Sequence, residues 1–317
     1  MTPCLSVVIP VYNAKEYLPV CLDTLLSCEG IGDTEIILVD DGSSDGSSQI
    51  AEDYATSHSN IKSVHKENEG PSAARNRGLE EASGEYVFFC DADDTVVPEL
   101  FGKIIKIVKT SDVDMIVWDS ELVYETWNLL VPKNRGFFSH EGLEKVEKTY
   151  TGKKLVETLL RTSGNFIATV WLGAYRRRFL VDNALLFEKG LLHEDELWVP
   201  QVYLNAQSVL YIPEKIYRYR IHEGSIMNPS DGDRTKSIES MLYIYPFLYK
   251  YYDEKLEGDP LKRLLEGNLT KKFVRMIYKF RIYRHGYGDK IDKKLLWRTA
   301  IRLREKIMIL LLYVVAH

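Results

Sequence analysis

The chain has 317 residues, 45% of them hydrophobic and 27% charged, with a net charge of -5. This composition excludes a disordered or fibrous protein and allows one large domain or two smaller ones. The negative balance argues against nucleic acid as the main partner, and no run reaches the ~20 apolar residues that a membrane-spanning helix needs. The average hides an asymmetry: Lys262–His317 carries 15 Lys/Arg against 4 Asp/Glu, a net of +11, which leaves -16 on the residues before it. Cys4, Cys21, Cys28 and Cys90 all lie in the first third, with no Cys-x-x-Cys pair and no signal peptide. Cys4, Cys21 and Cys90 stand where apolar residues are expected, so they read as reduced core residues of a cytosolic protein.

In chain order, Leu5–Ile9 is a wholly apolar strand of the kind buried on both faces. Pro10 ends it. Asn13 is placed to cap a helix, with Glu16 completing a capping-box-like pair. Leu18, Cys21, Leu22, Leu25 and Leu26 then fall on one helical face. Glu35–Val39 is a second strand, ending in the turn-forming, acidic loop Asp40–Gly46. A helix near Ser47–Thr56, a strand near Ile61–Val64 and a helix over Gly70–Gly78 follow. Tyr86–Cys90 is the next strand, Thr95–Lys109 reads as helix and Asp114–Trp118 as strand. Strands alternating with helices across short loops predict an α/β fold with a mostly parallel sheet flanked by helices. Ser120–Thr151 reads as an irregular insertion and Lys153–Arg161 as a short helix. Gly190–Ala206 holds a helix fronted by Glu194, Asp195 and Glu196, and Ser208–Ile212 and Ile216–Ile221 read as two strands. Beyond Pro229 the texture changes to helices rich in Tyr, Lys and Arg.

The stretch that organises the rest is Tyr86–Val97. Its apolar strand stops at Asp91, Asp93 and Asp94, with no basic residue inside the cluster. Carboxylates this close repel, and they are tolerable at a buried strand end when a divalent cation sits there or when they face open solvent. The crevice outside the carboxyl ends of the strands is also where open α/β sheets bind ligands. Asp-x-Asp here therefore reads as the seat of a metal that in turn holds phosphate oxygens.

Several motifs in order resemble the GT-A glycosyltransferases of family 2. They are Ser6–Asn13, Val39–Asp45, Asn68–Gly78, Asp91-Ala92-Asp93-Asp94, Glu194-Asp195 and Tyr219–Ser225. The match runs from about Leu5 to Met227 and implies a GT-A (Rossmann-like) catalytic domain over residues 1–228, followed by a basic helical C-terminal extension over 229–317. It implies a Mn2+ or Mg2+ cofactor, a UDP-sugar donor and a glycan or lipid-linked acceptor in bacterial surface polysaccharide assembly.

Carried over position by position, the resemblance puts Pro10, Val11 and Tyr12 against the nucleotide base. Asp40 or Asp41 accepts the uracil N–H, since uracil N3 is a donor where cytosine N3 is an acceptor; the other acid caps the loop. Asn68 and Gly70 approach the nucleotide, Gly70 because a bare backbone leaves room. Arg75 either pairs with Asp91 or reaches the phosphates, the pairing being preferred. Asp91 and Ala92 lie at the ribose, Asp93 and His222 hold the metal with Asp94 as a helper, and Ser225 assists at a phosphate oxygen. Asp195 is the general base of a single inverting displacement. Glu194 is its alternative, and Glu196 faces solvent or the acceptor. Taken without the motifs, these acids need only be favouring a helix N-terminus.

One departure stands out: where family members show a Trp-Asn-Lys-Leu-Tyr-like segment, this chain has Trp171-Leu172-Gly173-Ala174-Tyr175, leaving Trp171 to stack on a sugar face. At the C-terminal end, Ile307–Val315 is apolar after a helix bearing Arg298, Arg302, Arg304 and Lys306. It suits a helix lying on an anionic membrane, or one packing on the catalytic domain or on another subunit of a homo-oligomer. The expected location is cytoplasmic, peripheral on the inner membrane face. Rival readings are a catalytically silent scaffold on this fold, a nucleotidyltransferase, for which the Gly-rich lysine loop after strand one is missing, and a dehydrogenase, for which Gly-x-Gly-x-x-Gly is missing.

Overall fold

Four strands form the parallel half of the sheet, apolar runs in all but the third: Leu5–Val11 (β1), Thr34–Asp40 (β2), Ile61–His65 (β3) and Tyr86–Phe89 (β4). They lie side by side in the order β3-β2-β1-β4. In β1, β2 and β4 nearly every residue is buried, because helices cover both faces. The structure, a computed structural model, describes residues 2–124, 139–222 and 234–315. The chain winds from β1 outward to β3 and then returns to β4 on the other side of β1. The carboxyl ends of β1 and β4 therefore flank a topological switch point, the position at which such sheets open a crevice.

The helices follow from their apolar stripes. In Leu18–Leu26 (α1), Leu18, Cys21, Leu22 and Leu25 are buried, and in Pro98–Val108 (α4) Phe101, Ile104, Ile105 and Val108 are buried. Each such side chain contributes about 1.5–3 kcal/mol by leaving water. Ser47–Ser57 (α2) and Pro71–Glu81 (α3) complete the parallel units. In α3 the small residues Ser72, Ala73, Ala74 and Gly78 let the helix lie close to the sheet: a Cβ on Gly78 would fall 2.1 Å from Val8 Cγ1.

Beyond β4 the sheet becomes mixed. Thr95–Val96 (β5), Met115–Tyr124 (β6), Lys148–Tyr150 (β7), Gly173–Arg176 (β8) and Val209–Ile221 (β9) extend it in the order β4-β8-β6-β9-β5, with β7 also on β9. Strand β8 pairs antiparallel with both β4 and β6, whereas β6 and β9 are parallel. Gly152–Thr162 (α5), Arg177–Asp182 (α6) and Glu194–Asn205 (α7) are interleaved with these strands. Thr235–Lys255 (α8), Leu261–Lys279 (α9), Lys293–Thr299 (α10) and Leu303–Val315 (α11) close the chain. One hydrophobic core runs from β1 through α7 into α8 and α9, where Tyr245 stacks on Phe273 at 4.5 Å.

Four sequence expectations are corrected. Thr95 and Val96 are strand, paired with Arg218 and Tyr217 of β9, and the helix begins only at Pro98, whose fixed φ suits a first turn. The two strands expected at 208–221 are one long strand, with the register shifted opposite Asp119. The insertion expected at 120–151 begins later, since β6 continues to Tyr124. Asn13 caps no helix: α1 starts at Leu18, and Asn13 Oδ1 instead accepts the Ser44 N–H at 2.9 Å. The cysteines are free, with Cys21, Cys28 and Cys90 buried.

Candidate active site

The expected residues converge along the carboxyl edge of β1, β2, β4 and β9. The loops after β1 and β2 are laced together: Asn13 N–H donates to Ser43 Oγ at 3.1 Å, Ala14 N–H to Ser47 Oγ at 2.9 Å and Lys15 N–H to Asp45 Oδ2 at 3.0 Å. Val11 is buried and Pro10 half-buried, and Tyr12 lies past the end of β1, 55% exposed.

Asp40 and Asp41 are both buried and turn different ways. Asp40 accepts from the Ser43 N–H (3.2 Å) and the Ser48 hydroxyl (2.6 Å) and meets His65 Nδ1 at 3.2 Å, so it ties its own loop to α2 and β3. Hydrogen bonds from the two serines and His65 hold its carboxyl below the usual range, against the effect of burial. Asp41 accepts from Lys66 Nζ (2.6 Å), the Glu69 N–H (3.0 Å) and the Gly70 N–H (2.7 Å), anchoring the loop that carries Asn68. Asn68 is exposed. A Cβ on Gly70 would meet nothing, so what requires glycine there is its φ of +91°, not a crowded neighbour.

Arg75 is the hub. It is buried on α3; its Nη2 donates to Asp91 Oδ1 at 2.8 Å and its Nη1 pairs with Glu194 at the first turn of α7. One planar guanidinium thus joins the tip of β4 to the start of α7, a geometry suited to Arg and not to Lys. Its neighbour Asn76 fixes the segment before α7, donating to Phe187 O at 2.8 Å and accepting from the Phe187 N–H at 2.9 Å.

Across the turn after β4, His222 Nε2 lies 3.0 Å from Asp93 Oδ2. His222 is held from the other side by the Tyr17 ring at 4.5 Å. Ala92 is buried in the turn between them. Asp94 departs from its expected role as helper: it is fully buried and faces inward, accepting from Tyr217 Oη at 2.6 Å and from the Arg220 N–H at 2.7 Å. The same Tyr217 hydroxyl accepts the Asp91 N–H at 3.2 Å, so β9 braces the whole acidic turn. Ser225 lies outside the described residues.

Two further residues are held by partners across the fold. Trp171 is buried, sandwiched with Tyr217 at 4.5 Å and Tyr219 at 5.5 Å, and has no face to offer a sugar. Glu196 is part-exposed, and both its oxygens accept from Lys272 of α9, at 3.0 and 2.8 Å.

A sequence profile described as Glycosyl transferase family 2 matches residues 6–180. The chain belongs to glycosyltransferase family 2. Among curated relatives, this family 2 chain is 33% identical over 226 residues to an uncharacterised glycosyltransferase, YibD, of Escherichia coli, covering 70% of this chain and 62% of that one. It is 30% identical over 307 residues to a cholesterol galactosyltransferase of Borreliella burgdorferi, covering 93% of this chain and 79% of that one. Its fold is that of Staphylococcus aureus TarS residues 1–349 in complex with UDP-GlcNAc, with a TM-score of 0.67 at 23% identity over 97% of this chain and 79% of that one.

For this family 2 chain, a metal can be tested against the donors present. Among the described residues no three His, Cys, Asp or Glu side chains group as a closed metal site. Asp93, with its carboxylate one-third exposed, and His222 supply two donors. An ion that keeps waters and takes substrate phosphate oxygens needs only one or two protein carboxylates, so an open pair fits.

At the start of α7, His193 adopts φ +62° and Leu192 N–H donates to Ser240 Oγ of α8 at 2.9 Å. Asp195 has no cationic partner among the described residues, and its Oδ1 accepts the Glu196 N–H at 2.9 Å. Burial first, then the charges of Glu194 and Glu196, push the Asp195 carboxyl well above the usual range, with Arg75 pulling the other way. A carboxyl raised in this way is suited to proton transfer. Sequence reading missed Tyr17, Tyr217 and Lys272, since their partners lie far away in the chain.

Lys272 supports a specific expectation. Lys272→Met should lower kcat for sugar transfer roughly tenfold, because the first turn of α7 loses its tether. It should also shift the acid limb of the pH–rate profile upward, since an unpaired Glu196 further disfavours ionised Asp195. An unchanged profile in steady-state assays would make the ion pair merely structural.

Proposed function

We propose that the chain is an inverting glycosyltransferase that moves a sugar from a UDP-sugar to a hydroxyl of a glycan or lipid-linked acceptor, in surface polysaccharide assembly. The observation that carries this reading is that acids from separate strand and helix ends meet at one edge: Asp91 and Glu194 through Arg75, and Asp93 against His222. A silent scaffold would not need such closely spaced carboxylates, whose mutual repulsion disfavours the fold. The likeness to a relative named as a cholesterol galactosyltransferase supports a lipid acceptor.

In this reading Tyr12 stacks on the base and Asp40 or Asp41 accepts the uracil N–H, each of them already taking hydrogen bonds that tie its loop in place. Asn68 and Gly70 border the nucleotide, and Asp91 and the Ala92 backbone hold the ribose. Asp93 and His222 would hold Mn2+ or Mg2+, which supplies charge neutralisation for the leaving diphosphate. Glu194 is occupied by Arg75, which leaves Asp195 as the base. Asp195 takes the proton of the acceptor hydroxyl as that oxygen bonds the anomeric carbon, and the bond from that carbon to the diphosphate oxygen breaks on the opposite face.

The test is Asp93→Ala. Metal-stimulated hydrolysis and transfer from UDP-sugars should fall at least a hundredfold, with the melting temperature in the absence of nucleotide within a few degrees of wild type. A variant with wild-type, metal-responsive turnover removes Asp93 as a ligand. Thermal shift across a panel of nucleotide sugars with Mn2+ then identifies the donor, since saturating ligand stabilises by about 2–4 kcal/mol.

A further inference from the structure

Helix α11 is apolar on two opposite faces. One face packs inward: Glu305, Ile309 and Leu312 are buried, and the Met308 carbonyl accepts from the Tyr278 hydroxyl of α9 at 2.6 Å. At 100° per residue, Leu303, Ile307 and Leu310 fall on the opposite side, with Leu311 at its margin. These four are 74%, 50%, 52% and 49% exposed. An ordinary surface helix has one apolar stripe, and the second here has nothing on it among the described residues.

Its borders are basic. Arg304 and Lys306 flank the stripe on either side, Arg298 and Arg302 precede it, and the only acid of the helix, Glu305, is turned inward. Lys306 lies over the ring of exposed Trp297 at 5.3 Å, and Lys293 over that of Tyr313 at 5.0 Å. Aromatic rings beside cations at the edge of an aliphatic stripe are the side-chain set that sits at a lipid headgroup boundary. No described helix is long and apolar enough to cross a bilayer.

We propose that the outer face of α11 docks this protein on an anionic lipid surface, with Leu303, Ile307, Leu310 and Leu311 immersed among the acyl chains and Arg304 and Lys306 at the headgroups. Charge complementarity selects this occupant over a second copy: the segment from Lys262 onward carries a net of +11 and would repel its own image. The proposal is independent of the sugar transferred and of the metal.

The experiment is co-sedimentation of the full chain with vesicles of phosphatidylcholine alone or mixed with phosphatidylglycerol. Wild type should bind the anionic vesicles at least tenfold more tightly, and the preference should shrink as salt rises. Arg304→Gln with Lys306→Gln should weaken binding about 25-fold, at about fivefold per charge near the surface. Leu310→Glu should weaken it at least tenfold while melting temperature and UDP binding stay at wild-type values. Failure of wild type to prefer anionic vesicles, or wild-type binding by Leu310→Glu, would overturn the proposal. So would a dimer in sedimentation equilibrium that Leu310→Glu dissolves.

Discussion

Asp195→Asn should lower transfer by about a hundredfold to ten-thousandfold, the usual contribution of a positioned general base. Binding of UDP, measured by calorimetry, should stay within a few fold of wild type, because the carboxamide keeps the shape and removes only the proton acceptor. The pH dependence makes the test sharper. The Asp195 carboxyl is raised by burial and by the neighbouring charges of Glu194 and Glu196, and only its ionised form can take a proton. Wild-type kcat/KM should therefore fall as pH drops through a limb lying above the ordinary carboxylate range near pH 4. In the Asn variant that limb should vanish along with the rate. Should the limb survive in Asp195→Asn, the titrating base is another group, with Glu194 first in line despite its pairing with Arg75.

How the sequence anticipated this site, and where it misled, follows from chain separation. β1, β2 and β4 were legible because strands buried on both faces are written as unbroken apolar runs, and Asp-x-Asp at the end of β4 marks the switch point. Arg75 with Asp91 was legible too, 16 residues apart, since a cluster of acids requires a nearby cation. Illegible were the partners that come from across the fold. Asp94 looks identical to Asp93 in the sequence, yet Tyr217, 123 positions on, draws it inward. Glu196 reads as a solvent-facing acid until Lys272, 76 positions on, claims both its oxygens. Trp171 could not be told from a sugar platform, because a ring buried between Tyr217 and Tyr219 and a ring open to ligand have the same letter. Thr95 and Val96 became strand only because β9 passes beside them, a tertiary override of local helical pattern.

Arg75→Met should be the most damaging single change to stability. The side chains at this hub are almost fully buried on the Arg75 and Glu194 sides, and the pair with Asp91 is partly open. Removing the cation strands two carboxylates at once, and uncompensated charges of this kind cost about 3–5 kcal/mol when one partner of a buried pair is deleted. Unfolding in urea should show that loss as a lower midpoint at unchanged slope. Arg75→Lys should recover part of it, since an ammonium can serve one acid but cannot fork to both. Combining Arg75→Met with Glu194→Gln separates charge from packing. If the cost arises from stranded acids, the double variant regains at least 1 kcal/mol over Arg75→Met, because one uncompensated charge has gone. If the cost arises from lost contact between the guanidinium and the Phe187 ring, 5.6 Å away, the double variant remains as unstable as the single one. Neither variant should transfer sugar at the wild-type rate, because the link that sets Asp91 against the Glu194-Asp195 turn is missing in both.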